Sequence, residues 1–280
     1  MLNRIVPSLV TLPVELVYRI FDQLDLSIIV LSMYNICTRL NQIIHSYYRY
    51  LTDDTLNIYN KLPGDRGAEF LSNLLRENKT IISLELGCNE INAPGAKYIF
   101  NSLQNNETLT TLNLDYNHIG DQGARYVGNS LLQNKTLTTL YLRFNDITSK
   151  GAFYLANALQ QNETLAALHL RGNIIGSRGV EEFAKTLYQN KTLSSLYLSH
   201  NQIDHKGAEH FAMVLENNST LTTLNLANNK IDLQGVKELA DALDKNKTLT
   251  KLNLWCNDLA ERDYNDLPLN VKNNTALILT

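Results

Sequence analysis

The chain has 280 residues, 25 basic and 28 acidic side chains, a formal charge of −3 and 19% charged residues, so it is long enough for one extended domain and close to neutral. That balance argues against nucleic acid or an acidic membrane surface as the main partner. Three cysteines, Cys37, Cys88 and Cys256, are too few and odd in number for a disulfide framework, which places the chain in a reducing compartment, cytoplasmic or nuclear.

Membrane insertion and secretion are not expected. No run approaches the ~18 consecutive apolar residues of a membrane helix. The early stretch IVPSLVTLPVELV, from Ile5 to Val17, carries two prolines and Glu15 without a small-residue cleavage site.

The first element in chain order is LPVELVYRIFDQLDLSIIVLSMYNICTRLNQII, Leu12 to Ile44. Pro13 suits a first helical position, and Leu16, Val17, Ile20, Phe21 and Leu24 recur at helical spacing. Two further apolar stretches, Ile28 to Met33 and Leu40 to Ile44, complete a small three-helix unit within residues 1–50. Fewer than 50 residues make a marginal core on their own.

A repeat follows. Gly95, Gly123, Gly151, Gly179, Gly207 and Gly235 are each 28 residues apart, and six units run from Ile81 to Thr248 without insertion. Inside each unit the spacing changes. Leu137, Leu140 and Leu142 end in a step of two, as a strand with one buried face requires. Ala152, Leu155, Ala156 and Leu159 step by three and four, as an amphipathic helix requires. A strand–turn–helix unit buries only one face, so the units must stack. The expected fold is α/β: a horseshoe solenoid with parallel strands on the concave face and helices on the convex face.

Both ends depart from the pattern. Residues 51–80 keep Leu56, Ile58, Gly67, Ala68 and Asn78 but have Lys61 where later units carry Asn, which marks a degenerate capping repeat. Residues 249–280 have Asp263 in place of the glycine and Pro268 inside the helix, which should shorten it. The closing ALILT reads as one more strand covering the end of the sheet.

The units also carry a recurrent tripeptide, NKT, NET or NST, at Asn78, Asn106, Asn134, Asn162, Asn190, Asn218 and Asn246. Each is formally an acceptor for N-glycosylation. In register, Asn134 falls just past a helix end, where Asn adopts the left-handed conformation that closes helices. The middle position alternates, Lys79, Glu107, Lys135, Glu163, Lys191, so neighbouring repeats are expected to stack opposite charges.

Catalytic and cofactor motifs are missing: there is no GxxxxGK[ST], HExxH, GxSxG or paired-cysteine spacing. No catalytic residue, metal or cofactor is expected. His200, His205 and His210 fall on a strand end, a loop and an outer helix, and do not converge. Binding is better represented. Residues alternating with the buried leucines face the concave surface, and their aromatic and arginine members cluster in the middle repeats: Tyr116, Tyr141, Arg143, Phe144, His169, Arg171, Tyr197 and His200, with Trp255 farther along. Interface hot spots have this composition. Asp115 stands one strand from Arg143, close enough for a cross-strand ion pair.

The unit LxxLxLxxNxIxxxGAxxLxxxLxxNxT resembles the leucine-rich-repeat family, and its period with a GA-led helix is similar to the ribonuclease-inhibitor subclass. The resemblance implies an inward ladder of Asn89, Asn117, Asn145, Asn173, Asn201, Asn229 and Asn257. The N-terminal segment resembles an F-box: Leu12, Pro13, Glu15 and Leu16, then Ile20 and Phe21, then Leu24 and Asp25, then Ile36-Cys37-x-Arg39. It departs from that pattern in having Leu40 after the basic residue and no following Trp. This resemblance implies a Skp-family adaptor and cullin scaffold as partners, with a protein target on the concave repeats, as in an SCF-type ubiquitin ligase. Leu12 to Ile44 also reads as a plain helical cap on the first repeat. Two other functions fit the repeats: regulation of a small GTPase, with Arg143 or Arg171 offered to the partner, and a repeat scaffold or sensor fragment.

Overall fold

In the computed structural model, residues 12–21, 43, 54–62, 64–260, 263 and 277–278 are described. Strand and helix alternate throughout the array. The strands are β1 Thr55–Asn57, β2 Ser83–Glu85, β3 Thr111–Asn113, β4 Thr139–Tyr141, β5 Ala167–His169, β6 Ser195–Tyr197, β7 Thr223–Asn225, β8 Lys251–Asn253 and β9 Leu277–Ile278. The helices that follow β1 to β7 are α2 Gly64–Glu77, α3 Ala93–Leu103, α4 Gly120–Leu131, α5 Ser149–Leu159, α6 Gly176–Leu187, α7 His205–Leu215 and α8 Leu233–Lys245. They are preceded by α1, Val14–Phe21.

The nine strands form one parallel sheet in chain order. Its register is the repeat itself: Leu112 pairs with Leu140, Leu140 with Leu168 and Leu168 with Leu196. The middle leucine of each of these strands is fully buried while its two neighbours face the concave side. That alternation follows from the two-residue period of a strand. On the other side, each of these helices buries a Gly-Ala pair, or Gly-Val in α6 and α8, and the apolar residues three and four further on. At Gly151 an added Cβ would lie 2.6 Å from Ile147 Cγ2 and 2.6 Å from Asp121 Oδ1. The glycine is therefore what lets successive helices approach.

Two asparagine ladders close the corners of each unit. At the strand end, Asn173 Nδ2 donates to the carbonyls of Leu142 and Leu170, both at 2.9 Å, while its Oδ1 accepts from the amides of Asn145 at 3.1 Å and Ile147 at 3.0 Å. Asn117 and Asn229 repeat this pattern. At the helix end, Asn134 Nδ2 donates to Leu103 O at 2.7 Å and its Oδ1 accepts from Thr136 N and Leu137 N. Asn106, Asn162, Asn190, Asn218 and Asn246 do likewise.

This second ladder corrects the expectation of a left-handed Asn. None of the tripeptide asparagines has a positive φ. Their side chains supply the hydrogen bonds that a left-handed cap would otherwise make, and they tie each helix end to the preceding repeat. Their amides are buried and engaged, so none of these seven sites offers a free nitrogen in the folded array. The expected charge stacking is also mostly unformed. Among the described residues only Lys79 and Glu107 in this column approach, at 3.6 Å.

From α2 to α7 the structural period is twice the sequence period, and it ends at α8, which starts after extended Asp232 where the alternation would place a left-handed glycine. Gly64, Gly120 and Gly176, each 56 residues after the last, open their helices at φ of +53° to +58°. The intervening helices begin instead after extended Asn92, Thr148 and Asp204, which bridge to the next repeat. Each pair is clipped together by a side chain. Asp65 Oδ1 accepts from Asn92 N and Gly95 N. Asp121 accepts from Thr148 N, Thr148 Oγ1 and Gly151 N at 2.7 to 2.9 Å. Ser177 Oγ donates to Asp204 Oδ1.

At the N-terminus, α1 starts directly after Pro13, whose carbonyl accepts from Leu16 N and Val17 N. Val17 and Ile43 are buried in the same continuous apolar core as the first repeat. The expected second and third helices lie outside the described residues apart from Ile43, as does Leu24. At the other end Leu277 pairs with Leu252, so the closing segment does extend the sheet. The shortened helix expected around Pro268 lies outside the described residues.

Asp121→Ala should cost about 1 to 3 kcal/mol, because it leaves two amides and a hydroxyl without their acceptor. Gly120→Ala should cost about 1 to 2 kcal/mol, since nothing lies within 4 Å of the new Cβ and only the left-handed backbone resists it. Urea denaturation of the two variants beside the parent chain checks both values.

Candidate functional site

The concave face owes its order to the register. Tyr141, His169 and Tyr197 are direct cross-strand partners on β4, β5 and β6. Their rings stack in one column with centroids 4.1 Å apart at each step and planes 16° and 7° from parallel. Strands are ~4.8 Å apart, so curvature of the sheet draws these side chains closer than their backbones. Arg143 lies along this inner row. Its guanidinium is 5.2 Å from the Tyr141 ring centroid and donates to His169 Nδ1 at 3.1 Å.

A second row runs beside the first, just past the strand ends. Tyr116 and Phe144 stack with centroids 4.6 Å apart and planes 13° from parallel. Both residues have positive φ, which swings their rings onto the concave side of the turn. The Phe144 ring lies over Gly172, where any Cβ would collide with it. The Arg171 guanidinium is 5.9 Å from the Phe144 centroid and donates to His200 Nε2 at 3.2 Å.

Charge divides the two arginines. Arg143 is matched by Asp115, whose Oδ1 accepts from Arg143 N at 2.7 Å and whose Oδ2 is 3.7 Å from Arg143 Nε. Asp115 is buried, and desolvation raises its pKa although Arg143 opposes the rise. Arg171 is exposed and makes no ion pair among the described residues. His169 is buried to 8% exposure, and burial, assisted by Arg143, pushes its pKa down to about 4. It is therefore neutral near pH 7, with Nδ1 accepting and the proton on Nε2.

Eight of the nine concave residues singled out in the sequence are thus brought together in two rows. Trp255 is not. It is 46% exposed at the end of β8, two strands beyond Tyr197. Gly172 was missed. The signal was present, since it is the one glycine in a column otherwise holding Cys88, Tyr116, Phe144, His200, Asn228 and Cys256. The asparagines of the inner column are structural: Asn113, Asn225 and Asn253 each accept from the amide two residues on.

Of the N-terminal residues, Leu16 is 43% exposed, Pro13 and Glu15 are exposed, and Leu12 and Ile20 are half-buried. Phe21 ends α1. Among the described residues no three His, Cys, Asp or Glu side chains are grouped to hold a metal. His200 faces Arg171, His205 stands 3.7 Å from Asp232, and His210 lines a groove between α6 and α7. No helix of the described residues is long and apolar enough to cross a membrane.

A family profile described as "Leucine Rich repeat" matches residues 77–100, 105–128, 133–156, 161–184, 189–212 and 217–240, together just over half of the 280 residues. The chain belongs to the leucine-rich-repeat family. Its matched segments run from the end of α2 to the middle of α8, so both rows lie within family repeats. No curated protein matches the chain. Among solved structures, "Leiomodin-1 Actin-Binding Site 2 (ABS2)" is similar, with 23% identity, 64% of this chain and 86% of that chain covered, and a TM-score of 0.42. A likeness of that degree carries no argument about partners. Leucine-rich repeats are protein-interaction modules whose stacked units build extended concave binding surfaces.

An imidazole whose folded pKa lies below its unfolded value lets the unfolded chain take up a proton first, so stability falls as pH drops from about 6.5 toward 4. The loss should be on the order of 1 to 2 kcal/mol once screening at the open face is allowed for. His169→Phe keeps a stacking ring and removes the titration. Urea midpoints measured from pH 7 to 4.5 should therefore fall less steeply in that variant than in the parent.

Proposed function

We propose that this chain is a non-enzymatic recognition module that holds a protein target on the concave face of β3 to β6. The observation that carries this reading is the pair of ordered rows, Tyr141–His169–Tyr197 with Arg143 and Tyr116–Phe144 with Arg171 and His200. Stacking fixes these side chains before a partner arrives, which lowers the ordering cost that association otherwise carries. Tyrosine and arginine in such settings form hot spots. The rows supply no nucleophile or activated base, since His169 is held neutral by burial and its Nδ1 is occupied.

Within this reading, a role as the substrate-recognition subunit of an SCF-type ubiquitin ligase rests on the LPVEL and IF motifs from Leu12 to Phe21, and on the exposure of Pro13, Glu15 and Leu16 on and just before α1. The adaptor would then bind the N-terminal helix at one end of the solenoid, leaving the concave face to the target. GTPase regulation would have to rest on Arg171, because Arg143, the other candidate, is engaged by Asp115 and His169.

Proximity labelling in the native cell tests both parts at once. Tyr197→Ala should remove the target set, with an affinity loss of about thirtyfold, corresponding to ~2 kcal/mol for a hot-spot residue. Joint replacement of Leu12 and Pro13 by Ala should remove a Skp-family protein and leave the target. Retention of the same target by Tyr197→Ala rejects the concave site. Absence of any Skp-family protein from the parent chain's labelled set rejects the ligase assignment.

A further inference from the structure

Where the rings of the two rows stack on one another, they present edges and not faces. In the inner row the rings are stacked from strand to strand, so each inner face is covered by the next ring. The rim of an aromatic ring is the positive end of its quadrupole. Here the rims also carry donors: the hydroxyls of Tyr141 and Tyr197, and His169 Nε2–H, because Nδ1 already accepts from Arg143. Acceptor groups on a partner would meet this surface favourably, and flat bases seeking a stacking face would not.

The distribution of charge points the same way. Arg171 is exposed, rests against Phe144 and is steadied by His200, yet faces no carboxylate within ion-pair distance among the described residues. The nearby acids are otherwise committed or distant. Asp115 is matched to Arg143, and Asp146 stands 3.0 Å from His118 at the outer edge. Glu85 is on β2, three strands away. The concave positions of β5, β6, β7 and β8 hold no carboxylate at all. A guanidinium held between a ring and an imidazole has lost part of its freedom already, and it presents a planar fork suited to a carboxylate.

We propose that the segment of the partner protein docking here is acidic, with an Asp or Glu carboxylate seated on Arg171 and its neighbouring backbone carbonyls along the Tyr and His rims. This deepens the concave-face reading and rests on it. Arg171 is the anchor, whereas Arg143, balanced by Asp115, is a positioning residue for the inner row.

The test is an NMR titration of the full chain at low ionic strength with four synthetic peptides on a common Gly-Ser frame, carrying Glu, Gln, Lys or phosphoserine at alternate positions. The Glu peptide should shift the Arg171 Nε–H signal and the ring signals of Tyr141, His169 and Tyr197, and bind about tenfold more tightly than the Gln peptide. Added salt should weaken it. Arg171→Gln should abolish the preference, and Arg171→Glu should transfer it to the Lys peptide; unchanged thermal midpoints would show that both variants remain folded. Binding at the rows without preference for Glu overturns the acidic assignment and leaves the concave site standing. So does binding by the phosphoserine peptide alone. Shifts from every peptide confined to the convex helices overturn both, and failure of all four to bind overturns the acidic assignment.

Discussion

Every repeat in this protein has to turn its chain twice within a buried corner, and the backbone groups exposed at those turns have no sheet or helix partner. An unpaired amide or carbonyl in such a place costs about 1 to 3 kcal/mol. The two asparagine ladders meet this requirement. A primary amide offers donors and an acceptor on one short, stiff side chain, and Asn173 and Asn134 use both ends. Because each of these side chains also bonds into the adjacent repeat, the same groups that satisfy the corners also set the stacking. The apolar core then fills the space between them with leucines that are almost wholly buried.

A frame fixed in this way leaves the concave positions as its free variables. Tyr141, His169 and Tyr197 need no contact with the core to be ordered, since the register places them opposite one another and curvature brings their rings to 4.1 Å. Each stacked pair adds about 0.5 to 1.5 kcal/mol beyond its burial. The absence of a Cβ at Gly172 does the same work for Phe144 by opening room for a ring above the neighbouring turn. The rows are thus a consequence of the ladders, built from residues that the frame itself does not require.

Legibility in the sequence follows from how often a constraint recurs. The strand leucines, the helix glycines and the strand-end asparagines recur once per unit, so their period declares their role, and the structure places them as that period implies. The alternation over two units was hidden because it rests on few positions, Gly64, Gly120 and Gly176 with Asp65, Asp121 and Ser177, and on backbone conformations that no side chain announces. The tripeptide asparagines were legible as structural but not in mechanism. Helix-end position favours a left-handed residue locally, and a hydrogen bond to Leu103 from the following repeat outweighs that preference. The difference between Arg143 and Arg171 needed the side chains themselves, because both occupy one column at the same register.

The convex side shows why exposed apolar area alone is a poor guide to function in such a molecule. Tyr188 and Met213 are more exposed than any ring of the inner concave row and border a groove between α6 and α7. Yet the charges beside them are already satisfied locally, Lys185 by Glu181 and Glu182, so nothing there selects one partner chemistry over another. On the concave face the opposite holds. The rings are ordered, and the Arg171 guanidinium has no counter-charge among the described residues. Uncompensated charge distinguishes the two faces better than exposed area does: among the described residues Arg171 is the concave guanidinium that meets no carboxylate.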